Sequence, residues 1–491
     1  MLKNFALTFL CAAMTVSCIE KTVLKVRVTD EVINHDYIGN GAEWDPYDEA
    51  VSWGCDVSDE DWNTLFARVD VMGMGYVRCM INSPYLYWDA ERSEYAQDRN
   101  IGKLTKILQY CQDNGITVVY GEFNPPAPSM KDSRQWVEMS VKYLDHLVNG
   151  LGFDCIRYFV IFNEPDGDWA TTDGDLDFWL SMARRFDEEM AGYPALKEKV
   201  SLAAPDAVVH WVHPETGLTA MDWIGRTAAE IDDIVGIYDV HAYPGQTEVR
   251  DGSYAAKLKA LRDAVPQGKR IILGEAGFKY ENPEDSLLLG ENNARAETHP
   301  YAGGLDSNMM VYDHFYGLDM SMLAMDVMNN GYSGMAVWML DDAAHSVGDT
   351  GRPDAVKVWG FWNILGEEVF GRPEEESVRP WYWAWSLMCR FFPKGCNILA
   401  VESGEAECVR MCAAEKDGCM TFAVVNWSDQ GRELELKLPC PLENAYVYVY
   451  EEDNITYDGS GAPVPAVKGL SGASVTFVLP ACSMVLITDM K

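Results

Sequence analysis

The run Ile156-Arg157-Tyr158-Phe159-Val160-Ile161-Phe162 leads at once into Asn163-Glu164-Pro165, and a second run, Ile271-Ile272-Leu273, leads into Gly274-Glu275-Ala276-Gly277. Short β-branched, apolar runs bounded by turn chemistry read as buried strands. Each of these two delivers a carboxylate where its strand stops. The glutamates are 275 − 164 = 111 positions apart, so they sit on different strands of one repeating pattern. In a closed barrel of parallel strands, that C-terminal edge is where active sites lie.

From Asp36 to Ala343 such runs alternate with longer amphipathic stretches, the pattern of βα units around a parallel sheet. Eight strands are predicted: Tyr37 to Glu43, Tyr76 to Ile81, Ile116 to Glu122, Tyr158 to Asn163, Val200 to Ala204, Ile237 to Tyr243, Arg270 to Glu275 and Gly334 to Leu340. Eight closes a (β/α)8 TIM barrel, which takes about 250 residues before insertions. The intervening helices carry boundary signals. Ser58-Asp59-Glu60-Asp61 opens Trp62 to Met72 with a cap and early acids, and Gly73 closes it. Ile101 to Asn114 and Tyr254 to Val265 follow the same rule, ending at Gly115 and at Pro266-Gln267-Gly268. Lys279 to Asp306, the longest non-periodic stretch, is expected to be a loop or insertion over the barrel mouth. Beyond Arg379 the period changes to short alternating runs, the signature of an antiparallel β-sandwich. Thr22 to Val28 alternates too and can add a strand to it. The domains expected are thus 1–17 (signal), 18–35 (N-terminal strand), 36–378 (barrel) and 379–491 (sandwich).

With 39 Lys and Arg against 76 Asp and Glu, the formal charge is −37. That field repels nucleic acid and anionic membrane surfaces, whereas a neutral carbohydrate feels no penalty. Met1-Leu2-Lys3-Asn4 followed by the apolar run Phe5 to Val16 has the form of a secretory signal. It ends in Ser17-Cys18 and resembles a bacterial lipoprotein signal, with Thr15 standing where Leu is usual. The resemblance implies lipidation of Cys18, an anchored position in the bacterial cell envelope, and membrane contact only through that anchor. No later segment is long and apolar enough to span a membrane. Besides Cys11 and Cys18, eleven cysteines are scattered without a disulfide-scaffold spacing. Cys412 and Cys419 flank a predicted hairpin turn at Glu415-Lys416-Asp417-Gly418, so strand positions explain them better than a metal does.

Hydrolysis of a glycoside needs one carboxyl group to protonate the leaving oxygen and a second to attack the anomeric carbon or activate water. Glu164 and Glu275, in that order on predicted strands four and seven, supply such a pair. With these motifs the barrel resembles the retaining glycoside hydrolases of clan A, and is similar to families 5 and 39. The resemblance implies that Glu164 is the acid/base and Glu275 the nucleophile, in double displacement on β-glycosidic bonds. It implies that Asn163 binds the sugar 2-hydroxyl and that Arg78, in Tyr76-Val77-Arg78-Cys79-Met80-Ile81, keeps the nucleophile ionised. His241 and Tyr243, in His241-Ala242-Tyr243, and Trp338 complete the expected substrate site. Carboxyls about 5 to 5.5 Å apart are then expected, with a raised pKa on Glu164.

Aromatic residues at predicted mouth positions are Trp44, Tyr85, Tyr87, Trp88, Trp169, Trp359 and Trp362, and sugar C–H faces stack on such rings. Acids at the same edge are Glu43, Asp45, Glu122, Asp206, Asp341 and Asp342. His210-Trp211-Val212-His213 lacks the placed carboxylate or cysteine of a metal site, and no strand is followed by a nucleotide fingerprint, so no metal or cofactor is expected. Two alternatives use the same residues: a non-catalytic carbohydrate-binding lipoprotein and a transglycosidase.

Overall fold

The computed structural model describes residues 20–303, 306–345, 347–352, 354–404 and 408–490. The proposed signal and Cys18 lie outside the described residues. In chain order the strands are β1 Glu20–Asn34, β2 Gly39–Glu43, β3 Tyr76–Ile81, the short pair β4 Trp88–Asp89 and β5 Glu94–Tyr95, β6 Thr117–Glu122, β7 Ile156–Val160, β8 Ser201–Val208, β9 Val235–Ala242, β10 Ile271–Ala276 and β11 Gly334–Val337. Then follow β12 Asn397–Ser403, β13 Val409–Lys416, β14 Cys419–Asn426, β15 Arg432–Glu451, β16 Val467–Leu479 and β17 Ser483–Thr488.

The eight parallel strands β2, β3 and β6 to β11 close into a barrel, the last pairing with the first through Val337 and Ala42. Burial on both faces explains why these strands are near-continuous apolar runs instead of alternating ones. Ile38, Tyr76, Met80, Val119, Val160, Ala203, Ile237, Ile272 and Ala336 fill the interior, and a much larger cluster packs the helices on the outside. The helix Asp59–Met72 starts on a reciprocal Ser58/Asp61 capping box and stops at Gly73, whose φ of 63° suits glycine. The fold class expected from the sequence is the one observed.

Strands four, six and eight are shifted or shortened by a few residues, to Ile156–Val160, Val235–Ala242 and Gly334–Val337, and three larger differences from the sequence reading follow. Strand five continues past Ala204 through Pro205 to Val208, because pairing with β9 extends to Val208 and His241. The stretch 279–306 contains a helix, Ser286–Thr298. It buries only Asn292 and Ala296, so it leaves no apolar stripe to detect. The boundary at 379 falls before a helix, Trp381–Arg390, that belongs to the barrel. Trp385 Nε1 donates to the Gly41 carbonyl and Asn40 donates to the Met388 carbonyl, while the apolar content of Trp381-Tyr382-Trp383-Ala384-Trp385 hides any period.

The sandwich is one seven-stranded sheet folded on itself, in the order β1-β12-β13-β14-β17-β15-β16, with β1 also pairing β15. That last pair is parallel, and the others are antiparallel. The 20-residue β15 serves both layers, its pairing register shifting between Lys437 and Ala445 where it crosses over. Leu24, Val26 and Val28 of β1 enter the sandwich core, so the small domain is built from both ends of the chain. Asp417 and Gly418, with φ of 53° and 82°, form the tight turn between β13 and β14. Tyr450 donates to the His314 carbonyl, Asn329 to the Met411 carbonyl and Arg410 to the Val249 carbonyl, fixing the sandwich against the barrel. The helix His314–Asn329, caught between them, is consequently buried nearly all round. All eleven described cysteines are free thiols, and among the described residues no helix is long and apolar enough to cross a membrane.

Candidate active site

Side chains alternate along a strand, and in β3 Tyr76 and Met80 face the barrel interior while Val77, Cys79 and Ile81 face the helices. Arg78 therefore points inward, fully buried. Its Nη1 donates to Glu43 and to Glu275 Oε1 at 2.6 Å, and its Nη2 donates to Asn163 Oδ1 at 2.7 Å and Asp206 Oδ2 at 3.2 Å. One guanidinium thus joins residues delivered by strands one, four, five and seven. Glu275 lies within β10 and its other oxygen accepts from Tyr243 Oη at 2.7 Å.

Glu164 is presented differently. β7 ends at Val160, and the chain bends so that Glu164 sits at φ 45°, in the left-handed region that costs a non-glycine residue about 1 to 3 kcal/mol. Asp206 Oδ2 holds the bend by accepting from the Glu164 backbone N–H at 3.1 Å. The Glu164 carboxylate bonds to His241 Nδ1 at 2.9 Å and accepts from Trp169 Nε1 at 2.8 Å. His241 Nε2 in turn meets Asp206 Oδ1 at 3.1 Å. One oxygen of Glu164, one of Glu275 and a ring nitrogen of His241 all lie within 4.8 Å of one another.

The charges follow from this wiring. Burial disfavours charge on His241, but Asp206 and Glu275 hold it well above the usual histidine range, so the ring is an imidazolium at neutral pH. Burial would raise Asp206, yet His241 and Arg78 bring it to about 2. Burial raises Glu43 well above the carboxylate range, more than Arg78 offsets, so Glu43 is neutral. Asp239 is raised well above the usual range by burial and the Asp206 charge, and Asp45 is raised to about 7, chiefly by burial. For Glu164 burial acts upward, but the hydrogen bond and charge of His241, helped by Lys279, leave it below the usual value. The expectation of a raised Glu164 pKa is thus corrected: His241 and Lys279 hold it below the usual value, and the proton resides on His241, one hydrogen bond away.

Glu164, Glu275, Asn163, Tyr243 and Trp338 line one cavity of about 500 Å³, with Arg78 and His241 forming its buried floor. Tyr85 and Trp359 share its wall, whereas Trp44, Tyr87, Trp88 and Trp362 are buried in the core. Trp169, 52 % exposed, stands at the rim against Glu164. Of the acids, Asp45 lines the cavity. Glu122 instead accepts from Tyr87, Trp136 and Ser140, while Asp341 accepts from Tyr47 and Trp362. Asp342 is locked to Arg379. The wall also includes Asn82, Phe123, Asn124, Lys279, His345 and Lys357, which sequence reasoning did not select. Asn82, Phe123 and Asn124 directly follow strands two and three, a positional signal that was available.

Two trios, Glu164/His241/Glu275 and Asp206/Asp239/His241, are compact enough to hold a cation. Both share His241, whose two ring nitrogens are engaged by Glu164 and Asp206. His213 Nδ1 faces the backbone N–H groups of Glu215 and Thr216, and His210 stacks edge-on to Tyr243.

Comparison of the sequence with protein-family models and with curated protein sequences gives no match. Among solved structures, the chain is similar to xylanase C of glycoside hydrolase family 30 from Talaromyces cellulolyticus (TM-score 0.62, 12% identity, 95% of this chain and 100% of that one). It is similar to a family 30 subfamily 8 xylanase from Clostridium acetobutylicum (TM-score 0.58, 15% identity, 94% and 99%). A family 39 β-xylosidase from Caulobacter crescentus gives a TM-score of 0.58 at 12% identity, over 95% and 99%. At these identities the likeness is one of fold, and it spans both the barrel and the sandwich.

Proposed function

We propose that the protein is a retaining glycoside hydrolase acting on β-linked oligo- or polysaccharides, with Glu275 as nucleophile and Glu164 as acid/base. The observation that carries this reading is the approach of the two carboxylates to within 4.8 Å, which suits direct attack. Inverting enzymes keep their carboxyls about 6.5 to 9.5 Å apart to admit water. The fold neighbours that act on xylan and β-xylosides lend it weight.

In the first step Glu275, fixed by Arg78 and Tyr243, attacks the anomeric carbon while the leaving oxygen takes a proton from Glu164. A bound sugar excludes water and strengthens the upward pull of burial on Glu164, so the proton passes from His241 Nδ1 along their hydrogen bond. Trp338 offers the apolar face under the ring, and Asn163, held by Arg78, turns its amide N–H toward a sugar hydroxyl. In the second step Glu164, again a carboxylate, takes a proton from the water that hydrolyses the glycosyl-enzyme.

The test is turnover of 4-nitrophenyl β-glycosides and β-linked polysaccharides by the purified chain, with the first-formed anomer read by NMR. Retained configuration is expected. An inverted product refutes the double displacement, and identical rates for wild type and Glu275→Gln refute the assignment of the site. Lipidation of Cys18, proposed from the Ser17-Cys18 ending of the signal, predicts that the wild type partitions with membranes and Cys18→Ser does not. Equal partitioning removes the anchor.

A further inference from the structure

The cavity contains a lysine that, among the described residues, has no ion-pair or hydrogen-bond partner in contact with it. Lys279 follows β10 by three residues and shares the cavity wall with Glu164, Tyr243 and Glu275. Its Nζ lies 4.7 Å from the centroid of the Tyr243 ring, whose hydroxyl donates to Glu275. A ring face orients an ammonium without neutralising it. Among the described residues, no carboxylate lies within ion-pair distance of Lys279 and no acceptor bonds to it. The other lysine of the wall, Lys357, is paired with Asp306 at 2.5 Å. In a chain with 76 acidic side chains a missing partner is not a matter of scarcity.

The position of this charge matters for the ligand. Lys279 helps to depress Glu164 and His210, so it favours the ionised form of Glu164, the form that has no proton to donate. A neutral sugar leaves that handicap in place. An anion on the bound sugar pairs with the ammonium and relieves it, at the moment Glu164 must hold a proton. The overall negative field of the chain and the two catalytic carboxylates both oppose an anionic substrate. A local cation is the element needed to admit one.

We propose that Lys279 is a specificity residue that selects glycosides whose sugar beside Glu164 carries an anionic substituent, a uronate carboxylate or a sulfate ester. The proposal rests on the glycosidase reading above. It is tested with matched aryl substrates: 4-nitrophenyl β-glucuronide against the β-glucoside, and the 6-sulfated β-galactoside against the β-galactoside. The ratio of kcat/KM, anionic over neutral, is expected to exceed one in the wild type for one pair and to fall by about tenfold or more in Lys279→Met, the worth of one charge-assisted hydrogen bond. Lys279→Arg should keep it. The pair that responds identifies carboxylate or sulfate. A wild-type ratio at or below one for both pairs, or a ratio unchanged in Lys279→Met, overturns the proposal.

A readout free of turnover accompanies this, the shift in melting temperature given by glucuronate, glucose 6-sulfate and glucose. One anionic sugar should stabilise the wild type more than glucose does, and Lys279→Met should erase the difference. Equal shifts overturn the proposal. A charge-selective shift in a protein that cleaves none of the substrates supports Lys279 as the anion site and counts against the glycosidase reading instead.

Discussion

Replacing Glu43 by Gln should make the protein more stable, and increasingly so as pH rises. Glu43 is fully buried between Arg78 and Asp45, and its pKa is raised well above 4.5, burial being the main cause. The folded state therefore binds a proton that the unfolded chain has released. Stability from this group is fully present below the unfolded pKa and is lost as pH climbs, by about 1.4 kcal/mol per unit until the folded pKa is reached. From pH 4.5 to 7 that slope allows a loss of at most about 3 kcal/mol. Gln copies the neutral acid, keeps an acceptor for Arg78 and titrates nowhere. An unfolding entropy of about 2.1 cal/mol/K per residue gives about 1 kcal/mol/K for 491 residues, so the melting temperature of Glu43→Gln should gain on wild type as pH rises between these values, by at most about 3 °C. Calorimetric melts of both proteins across that range decide it. Parallel curves would mean that Glu43 is ionised in the fold and that the charge assignment around Arg78 is wrong.

Glu275→Ala should lose turnover on the order of a millionfold, the scale of removing a covalent nucleophile, and azide should restore activity with inverted product. A failure of azide alongside intact sugar binding would move the nucleophile elsewhere. Trp169→Phe removes an N–H donor from the Glu164 carboxylate, so the alkaline limb of kcat/KM should move up by about one pH unit. An unmoved limb means the indole does not tune the acid. Asp342→Ala removes the nearer carboxylate of the buried Arg379, which keeps Glu375 at 3.4 Å and the Gly360 carbonyl, so its cost should lie at the lower end of the about 3 to 5 kcal/mol of a broken buried pair. Its melting temperature should drop by several degrees, and an unchanged melt would refute the bond as a support of the Trp359 wall.

The barrel was legible because a strand buried on both faces has no choice but to be apolar, and Gly73, Gly115, Gly268 and Gly331 mark where four of the helices give way to the next strand. Glu164 and Glu275 were legible for a related reason: a carboxylate after such a run has no packing role to explain it. Trp44, Tyr87 and Trp362 show the limit. An aromatic side chain serves core and sugar equally well, and which one it meets depends on rotation about the strand, information held in no local window. Asp206 was seen only as one acid among six, because strand five was ended at Ala204. The observed strand runs on through Pro205, which places Asp206 at φ 66°, in contact with Arg78, His241 and the Glu164 backbone. Charge was the least legible of all. The state of Glu164 is set by His241 and Lys279, residues 77 and 115 positions away (241 − 164 and 279 − 164).

The two carboxylates differ in how they are held, and the difference matches the work proposed for each. Glu275 is part of a hydrogen-bonded strand, with Arg78 on one oxygen and Tyr243 on the other, so its direction is set before any ligand arrives. A nucleophile profits from that preorganisation, since nothing about it has to change before attack. An acid/base must gain and lose a proton in each turnover, and a site that fixed its charge would serve only half the cycle. Glu164 stands outside the strand, on a left-handed bend, between a protonated His241 and an exposed Trp169. Both contacts favour the carboxylate while the site is empty. Substrate can loosen both, by displacing the indole and by excluding the water that screens Glu164. The bend, at a backbone cost of about 1 to 3 kcal/mol, brings the Glu164 carboxylate onto His241 and within 4.8 Å of Glu275.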